Sequence, residues 1–317
     1  MWTFILRRLI YNIPVYLGIL LFLMACLRVN DPVSGYLGKG ASEEAYQAKK
    51  EAMGLDRPFP VQYASFLGQL ATFDFSEESW SQEGRTVGEI VRESVVPSIS
   101  ITVPALALTT LISIVIALVS AYYRGRLPDK LMMVSAVLGM SISFLVYIIF
   151  GQYWGAYLVN ENIEGEFFAV QGYEAGATNW AHFCLLPVLI STIVAMGYDT
   201  RFYRAVMVEE SSRDYIVTAR AKGATKRKIM FVHMLKNAMI PIVTRIMITV
   251  PFLVMGSLLL EMYFNIPGMG RALVDSIFTN DFPVTQTLVA IFAGIFLVTV
   301  ILTDVAYALV DPRVRLS

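Results

Sequence analysis

Residue types that hold metals or run catalysis are scarce in this sequence. Its 317 residues include two histidines and two cysteines, with no C-x-x-C pair and no Cys/His cluster. That spacing rules out a disulfide framework and the usual thiolate or imidazole metal sites. Cys26 and Cys184 each lie in or beside an apolar run and read as small buried hydrophobes. His182 and His233 sit at opposite ends of a long apolar run, so they cannot share a ligand. There is no H-E-x-x-H, and no G-x-x-x-x-G-K-[ST] loop through which the chain could bind ATP itself. Serines such as Ser98, Ser100 and Ser113 fall in apolar helices, where back-bonding or an interhelical bond is the expected role. Formal net charge is zero, so nothing points to nucleic acid. With no internal repeat or low-complexity linker, residues 1–317 read as one helical domain.

Apolar residues are what the chain has in excess. They make up 56% of it, mean hydropathy is +0.60, and the 16% charged residues cluster between apolar runs. An integral membrane protein follows. Six runs are long enough to cross a hydrocarbon core of about 30 Å. They cover about 9–27, 98–122, 131–153, 183–198, 239–260 and 284–303. The basic start and first run also describe a signal peptide, and Leu23-Met24-Ala25-Cys26 loosely resembles a lipoprotein cleavage box. Met24 fits that box poorly and the run exceeds a usual signal core, so it is read as the first span. Pro104 in the second span loses a backbone donor that a neighbouring helix can replace.

Charge fixes the expected orientation. Sixteen of the 25 lysines and arginines fall on one side, with Arg245 inside the fifth span. Eight fall on the other, seven of them in the long 28–96 loop where the positive-inside rule is weakest. Both termini are then cytoplasmic, 28–96 is extracytoplasmic, and 201–238 is a cytoplasmic loop. Within 28–96, Tyr63, Phe66, Leu67 and Leu70 recur at helical spacing and predict a short amphipathic helix. Arg245 is expected to snorkel towards the cytoplasmic surface, and Glu261 and Asp304 to be interfacial. Trp154, Tyr157 and Trp180 read as interfacial anchors.

The loop from Glu209 to Pro241 carries the densest pattern. Ser211 and Asp214 stand in the S-x-x-D spacing of a capping box, and Gly223 offers a positive-φ stop. Thr225 can cap a second helix that runs to Pro241. Ala219, Ala221 and Gly223 leave one side of the first helix without bulk. From the residues alone the loop is either a solvated topology signal or a docking ridge.

Asp214-Tyr215-Ile-Val-Thr218-Ala219-Arg220-Ala221-Lys222-Gly223, followed by His233-x-Leu235-Lys236-Asn237-Ala238-x-Ile240-Pro241, resembles the EAA loop of ABC importer permeases. It is most similar to the oligopeptide, dipeptide and nickel permease family, although the E-A-A triplet falls on Val217-Thr218-Ala219. Three further segments resemble that family in register. They are the start with its first span, Gly54-Leu55-Asp56-Arg57-Pro58-Phe59-Pro60, and the end from Ile266-Pro267-Gly268-Met269-Gly270-Arg271 to Asp311-Pro312-Arg313-Val314-Arg315. The resemblance implies an all-α, six-span type I importer permease in a bacterial or archaeal inner membrane. It implies that Ser211, Asp214, Tyr215, Thr218, Ala219, Arg220, Ala221, Lys222 and Gly223 form a coupling helix docked on a separate ATPase. Pro267, Gly268 and Gly270 would belong to an outer gate. The implied partners are a homologous second permease subunit, two ATPase subunits that carry the ATP and magnesium, an extracytoplasmic solute-binding protein and membrane lipid. Peptides or peptide-like and nickel-complex solutes would share the path. The chain itself would be no enzyme and hold no cofactor or metal. A self-contained secondary transporter is the rival reading, but inverted repeats and paired mid-span charges are not visible. The acidic stretch 155–180 matches the family least.

Overall fold

The computed structural model describes residues 2–29, 31–37, 42–163, 165–254 and 258–310, with side chains placed except at 2–6, 251–254 and 304–310. Asp304 and the Asp311–Arg315 tail therefore lie outside the described side chains. Helices α1 (Trp2–Leu27), α2 (Pro32–Leu37), α3 (Glu43–Ala52) and α4 (Phe59–Thr72) lead into the long α5 (Val87–Tyr122). Next come α6 (Leu127–Ser141), α7 (Phe144–Phe150), a π-helical segment Gly151–Tyr157, α8 (Leu158–Asn162) and α9 (Trp180–Glu210). Short α10 (Asp214–Ala221) and α11 (Lys226–Lys228) precede a second π segment, Ile229–Met234, and α12 (Leu235–Val254). The chain closes with α13 (Leu258–Tyr263), α14 (Met269–Phe278) and α15 (Phe282–Val310).

Five of these helices are long and apolar enough to cross a membrane, and the α6 and α7–α8 pair makes up to a sixth. The expected third span is not one straight helix. It breaks at Ile142 and Ser143, whose extended backbones turn the two halves by 91°. A continuous helix would give the Gly139 carbonyl the Ser143 amide; here the Tyr147 hydroxyl donates to it at 3.0 Å instead. Pro241, expected to end a helix, lies inside α12. In a membrane such a proline is tolerated when neighbours answer the freed carbonyl.

The chain divides into two compact units, with the boundary inside α5. The first joins residues 1–96 to 267–298. Its core is Leu20 and Met24 of α1, Phe66 of α4 and Ala290 of α15, with Tyr63, Leu67 and Leu70 packed on it. The amphipathic helix expected at 63–70 is thus α4. Tyr63 donates to the Leu17 carbonyl at 2.7 Å, and Tyr16 to the Ala290 carbonyl at 3.1 Å. Asp281, buried just before α15, accepts from the Val284 amide at 3.3 Å and so caps that helix. The same carboxylate takes the Ser79 hydroxyl and the Ser81 hydroxyl and amide, which pins the 79–86 turn.

The second unit, 97–266 with 299–317, has two cores among the described residues. One gathers Ile101, Ile148, Ala156, Leu186, Ile190, Leu260 and Phe264. Here Gly151 and Gly155 let the π segment approach α9, since a Cβ at either would fall within 3 Å of Ile190 or Leu186. Pro104 cannot donate to the Ser100 carbonyl, and the Trp180 indole of α9 does so at 2.9 Å. The neighbour expected to make good the lost bond is therefore Trp180, which is half-buried rather than a plain surface anchor. Glu261 corrects the sequence reading further. It is fully buried and accepts the Ser98 hydroxyl at 2.7 Å, not interfacial. Cys26 is exposed, against expectation, while Cys184 is buried.

Two measurements test this account. Trp180→Phe should leave the Ser100 carbonyl unanswered and lower unfolding stability by about 1–3 kcal/mol. In a Pro104→Ala background, where the backbone donor returns, the same change should cost much less, as thermal melts of the detergent-solubilised protein would show. In the first unit, burial pushes the Glu77 carboxyl up, the Gln69 amide at 3.1 Å opposes this, and the Asp281 charge adds to it. A raised folded-state value means stability that is present at low pH and lost as pH rises through that value. The melting temperature of Glu77→Gln should therefore gain on the parent protein as pH rises from about 4 to 7.

Candidate functional site

The segment from α9 to α12 puts a short exposed helix at the end of a continuous apolar core. α9 ends at Ser211, whose hydroxyl returns to the Val208 carbonyl at 2.6 Å. The capping box read from Ser211 and Asp214 is therefore not formed; Arg213 occupies the cap position of α10 and makes no side-chain cap bond. Ser211 closes the preceding helix instead. Gly223 turns at φ +76°, the positive-φ stop the sequence called for, with open space where a Cβ would point. Thr225 caps α11 as expected, accepting the Lys228 amide at 3.3 Å.

Ile216 and Ala219 are the buried residues of α10. They join Tyr203 and Met207 of α9, Met230 and Met234 of the π segment, and Ala238 and Ile242 of α12 in one core. Tyr215 lies at its edge, bonded to Glu210 at 2.6 Å, and burial with that bond pushes its phenol up to about 12. Asp214, Thr218, Arg220, Ala221, Lys222 and Gly223 are exposed. Ala219 therefore does not belong to the open side. The residue that does, and that sequence reasoning passed over, is Val217, 62% exposed, which lines up with Asp214, Thr218 and Ala221 at helical spacing. A large exposed aliphatic on a helix of eight residues is the signal that could have found it.

Two ion pairs hold the helix that leads into this segment. On α9, Arg204 grips Asp129 of α6 in a bidentate fork, Nε to Oδ1 at 2.6 Å and Nη2 to Oδ2 at 2.7 Å. Asp129 is buried and also accepts the Gly125 amide at 2.8 Å and the Ser120 hydroxyl. Gly125 reaches that position through φ +77°. One turn earlier on α9, Asp199 takes Arg245 of α12 at 3.1 Å, and the guanidinium lies 5.9 Å from the Phe202 ring. Arg245 is thus held in a pair rather than snorkelling. The partners lie 75 and 46 positions apart in the chain, so sequence alone names neither pair.

In the first unit, Gly268 begins α14 from an extended backbone, and Met269 and Gly270 are buried behind it. Pro267, Gly268, Arg271 and Asp275 line one side of a cleft of about 580 Å³ whose other side carries Arg85 and Glu93. Gly270 is not among its lining residues. Arg85 pairs with Glu93, and Arg271 with Asp275 at 3.4 Å, so the cleft presents both signs of charge.

A sequence model of the family described as binding-protein-dependent transport system inner membrane component matches residues 110–316. The chain belongs to this family. A second model, of the N-terminal part of such membrane components, matches residues 1–83. The protein is a permease subunit of an ABC importer and a multi-pass inner-membrane protein. It is 32% identical to a probable peptide ABC transporter permease protein of Sinorhizobium fredii, over 99% of this chain and all of that protein. It is 33% identical to the glutathione transport system permease protein GsiC of Salmonella typhimurium, over 99% of each. A putative peptide permease protein of Brucella ovis is 30% identical over the whole of both chains.

In this permease the Arg204–Asp129 fork can be tested by unpairing it. Arg204→Met leaves a buried carboxylate without its cation and should cost about 3–5 kcal/mol. Adding Asp129→Leu removes the stranded charge, so the double variant should unfold closer to the parent than the single one.

Proposed function

We infer that this permease forms half of a translocation path for short peptides or peptide-like solutes, and that α10 couples it to a separate ATPase. The observation that carries the reading is the division of α10 into two faces. Ile216 and Ala219 are fixed in a core shared with α9 and α12, while Val217, Thr218 and Ala221 stand open. A partner that grips the open face must move the core behind it, and with it two membrane-spanning helices. ATP and magnesium belong to the ATPase subunits, and the chain supplies motion rather than chemistry. The lysines and arginines within 201–236 and 124–130 support a cytoplasmic α10, with both termini on the same side. A homologous second permease completes the path, and a solute-binding protein meets the extracytoplasmic side near the Pro267–Gly268 cleft. The peptide and glutathione permeases among its relatives support a peptide-like solute.

Ala221→Trp tests the coupling, because it fills the open face without touching the shared core. Pulled down from native membranes, the parent chain should bring both the second permease and the ATPase. The variant should keep the permease and lose most of the ATPase, by roughly ten-fold for a clash worth about 1.4 kcal/mol. If the variant keeps the ATPase as well as the parent does, α10 is not the docking helix and this reading fails.

A further inference from the structure

The six apolar runs at 9–27, 98–122, 131–153, 183–198, 239–260 and 284–303 hold one charged residue between them, Arg245. It lies six residues past Met239, about 9 Å along the helix from the start of its run. A charge at such a position faces protein or a water-filled cavity rather than lipid tails, and an ionisable group kept there marks function.

The pairing of Arg245 with Asp199 differs from the pair next to it. Arg204 commits Nε and Nη2 to Asp129 in a two-bond fork. Arg245 gives Asp199 only Nε, at 3.1 Å, and its two Nη nitrogens have no hydrogen-bond partner among the described residues. Asp199 is buried behind it, whereas the Arg245 side chain is part-exposed, with its guanidinium 5.9 Å from the Phe202 ring. Phe202 and Ile248 are themselves exposed, and Ile248 follows Arg245 at helical spacing on α12.

Two Nη groups side by side form an edge that a carboxylate can engage with both of its oxygens. Asp199 fixes the guanidinium through Nε and offsets part of its charge, so that a carboxylate is admitted and released rather than trapped. A second permease could cover this flank. A path for peptides, however, has to be built from these runs, and no other residue in them carries a charge.

We propose that Arg245 lines the translocation path and binds the carboxylate of the passing solute through its Nη edge, favouring peptides with a free carboxylate over those without one. This assignment rests on the peptide path inferred above and adds a residue that distinguishes one such solute from another.

The test uses the whole importer in detergent, carrying Cys26→Ala and Cys184→Ala, with a thiol introduced by Ile248→Cys. That thiol should react with the water-soluble reagent 2-sulfonatoethyl methanethiosulfonate. No reaction in the whole importer overturns the proposal, and ready reaction in the isolated permease would then identify the second subunit as the cover. Trialanine should slow the reaction at about five-fold lower concentration than trialanine amide, which lacks only the carboxylate. Asp199→Asn combined with Arg245→Gln removes the cation without stranding the acid, and should erase that difference. Equal protection by the two peptides in the parent overturns the proposal, as does a difference that survives the double variant. Reconstituted vesicles separate this from the reading beneath it, through ATP-driven uptake from a mixture of two- to five-residue peptides. Uptake without acid-over-amide protection overturns this proposal alone. Protection without uptake keeps the carboxylate contact and overturns the peptide solute.

Discussion

Helix α9 carries an acid and a base five residues apart, and each finds its opposite on a different neighbour. Asp199 meets Arg245 of α12, and Arg204 meets Asp129 of α6. An unpaired charge at these depths would cost several kcal/mol, so separating either pair is resisted far more strongly than sliding one apolar surface over another. The two pairs also run in opposite senses. A rotation of α9 that brought Asp199 towards Asp129, or Arg204 towards Arg245, would oppose like charges. Three helices are thereby assigned their neighbours by charge before apolar packing refines the fit.

What α10 does depends on that assignment. Its buried face joins a core rich in methionine, with Met207, Met230 and Met234 between α9 and the π segment. Unbranched thioether side chains fill irregular space and can repack at small cost. The bidentate fork between Arg204 and Asp129 admits much less displacement. The core beneath α10 can therefore repack more cheaply than the paired α6, α9 and α12 can separate, which suits the coupling proposed for α10.

The sequence showed the six apolar runs, the amphipathic helix at Tyr63 to Leu70, the glycine stop at Gly223 and the Thr225 cap, because each rests on local periodicity or one residue's conformational range. Interactions between distant residues were out of reach. Asp129 and Arg204 are 75 positions apart, and nothing in either neighbourhood names the other. Glu261 looked interfacial because it follows an apolar run, yet Ser98, 163 positions earlier, supplies a buried donor. The break at Ile142 was hidden for another reason: the run from Leu131 to Tyr153 is uncharged throughout, and hydropathy measures length without direction. The Ser211 cap failed on competition. Its hydroxyl had a carbonyl available in the helix it ends, one turn back, and took that bond in place of an amide ahead.

One exposure remains to be reconciled with the membrane. The Arg245 side chain is 40% exposed although it lies nine residues into its span beyond Lys236, about 13 Å along the helix. Its bond to Asp199 holds it there and prevents it from reaching the surface as a free arginine would. Bare hydrocarbon is the environment such a guanidinium tolerates least. That flank of α9 and α12 therefore faces protein or water once the importer is assembled. The same reasoning leaves an exposed apolar side chain such as Val115, within the 98–122 run, free to face lipid, since it needs no partner there. Exposure along the spans thus sorts by chemistry, a charged flank needing protein or water and an apolar flank needing neither.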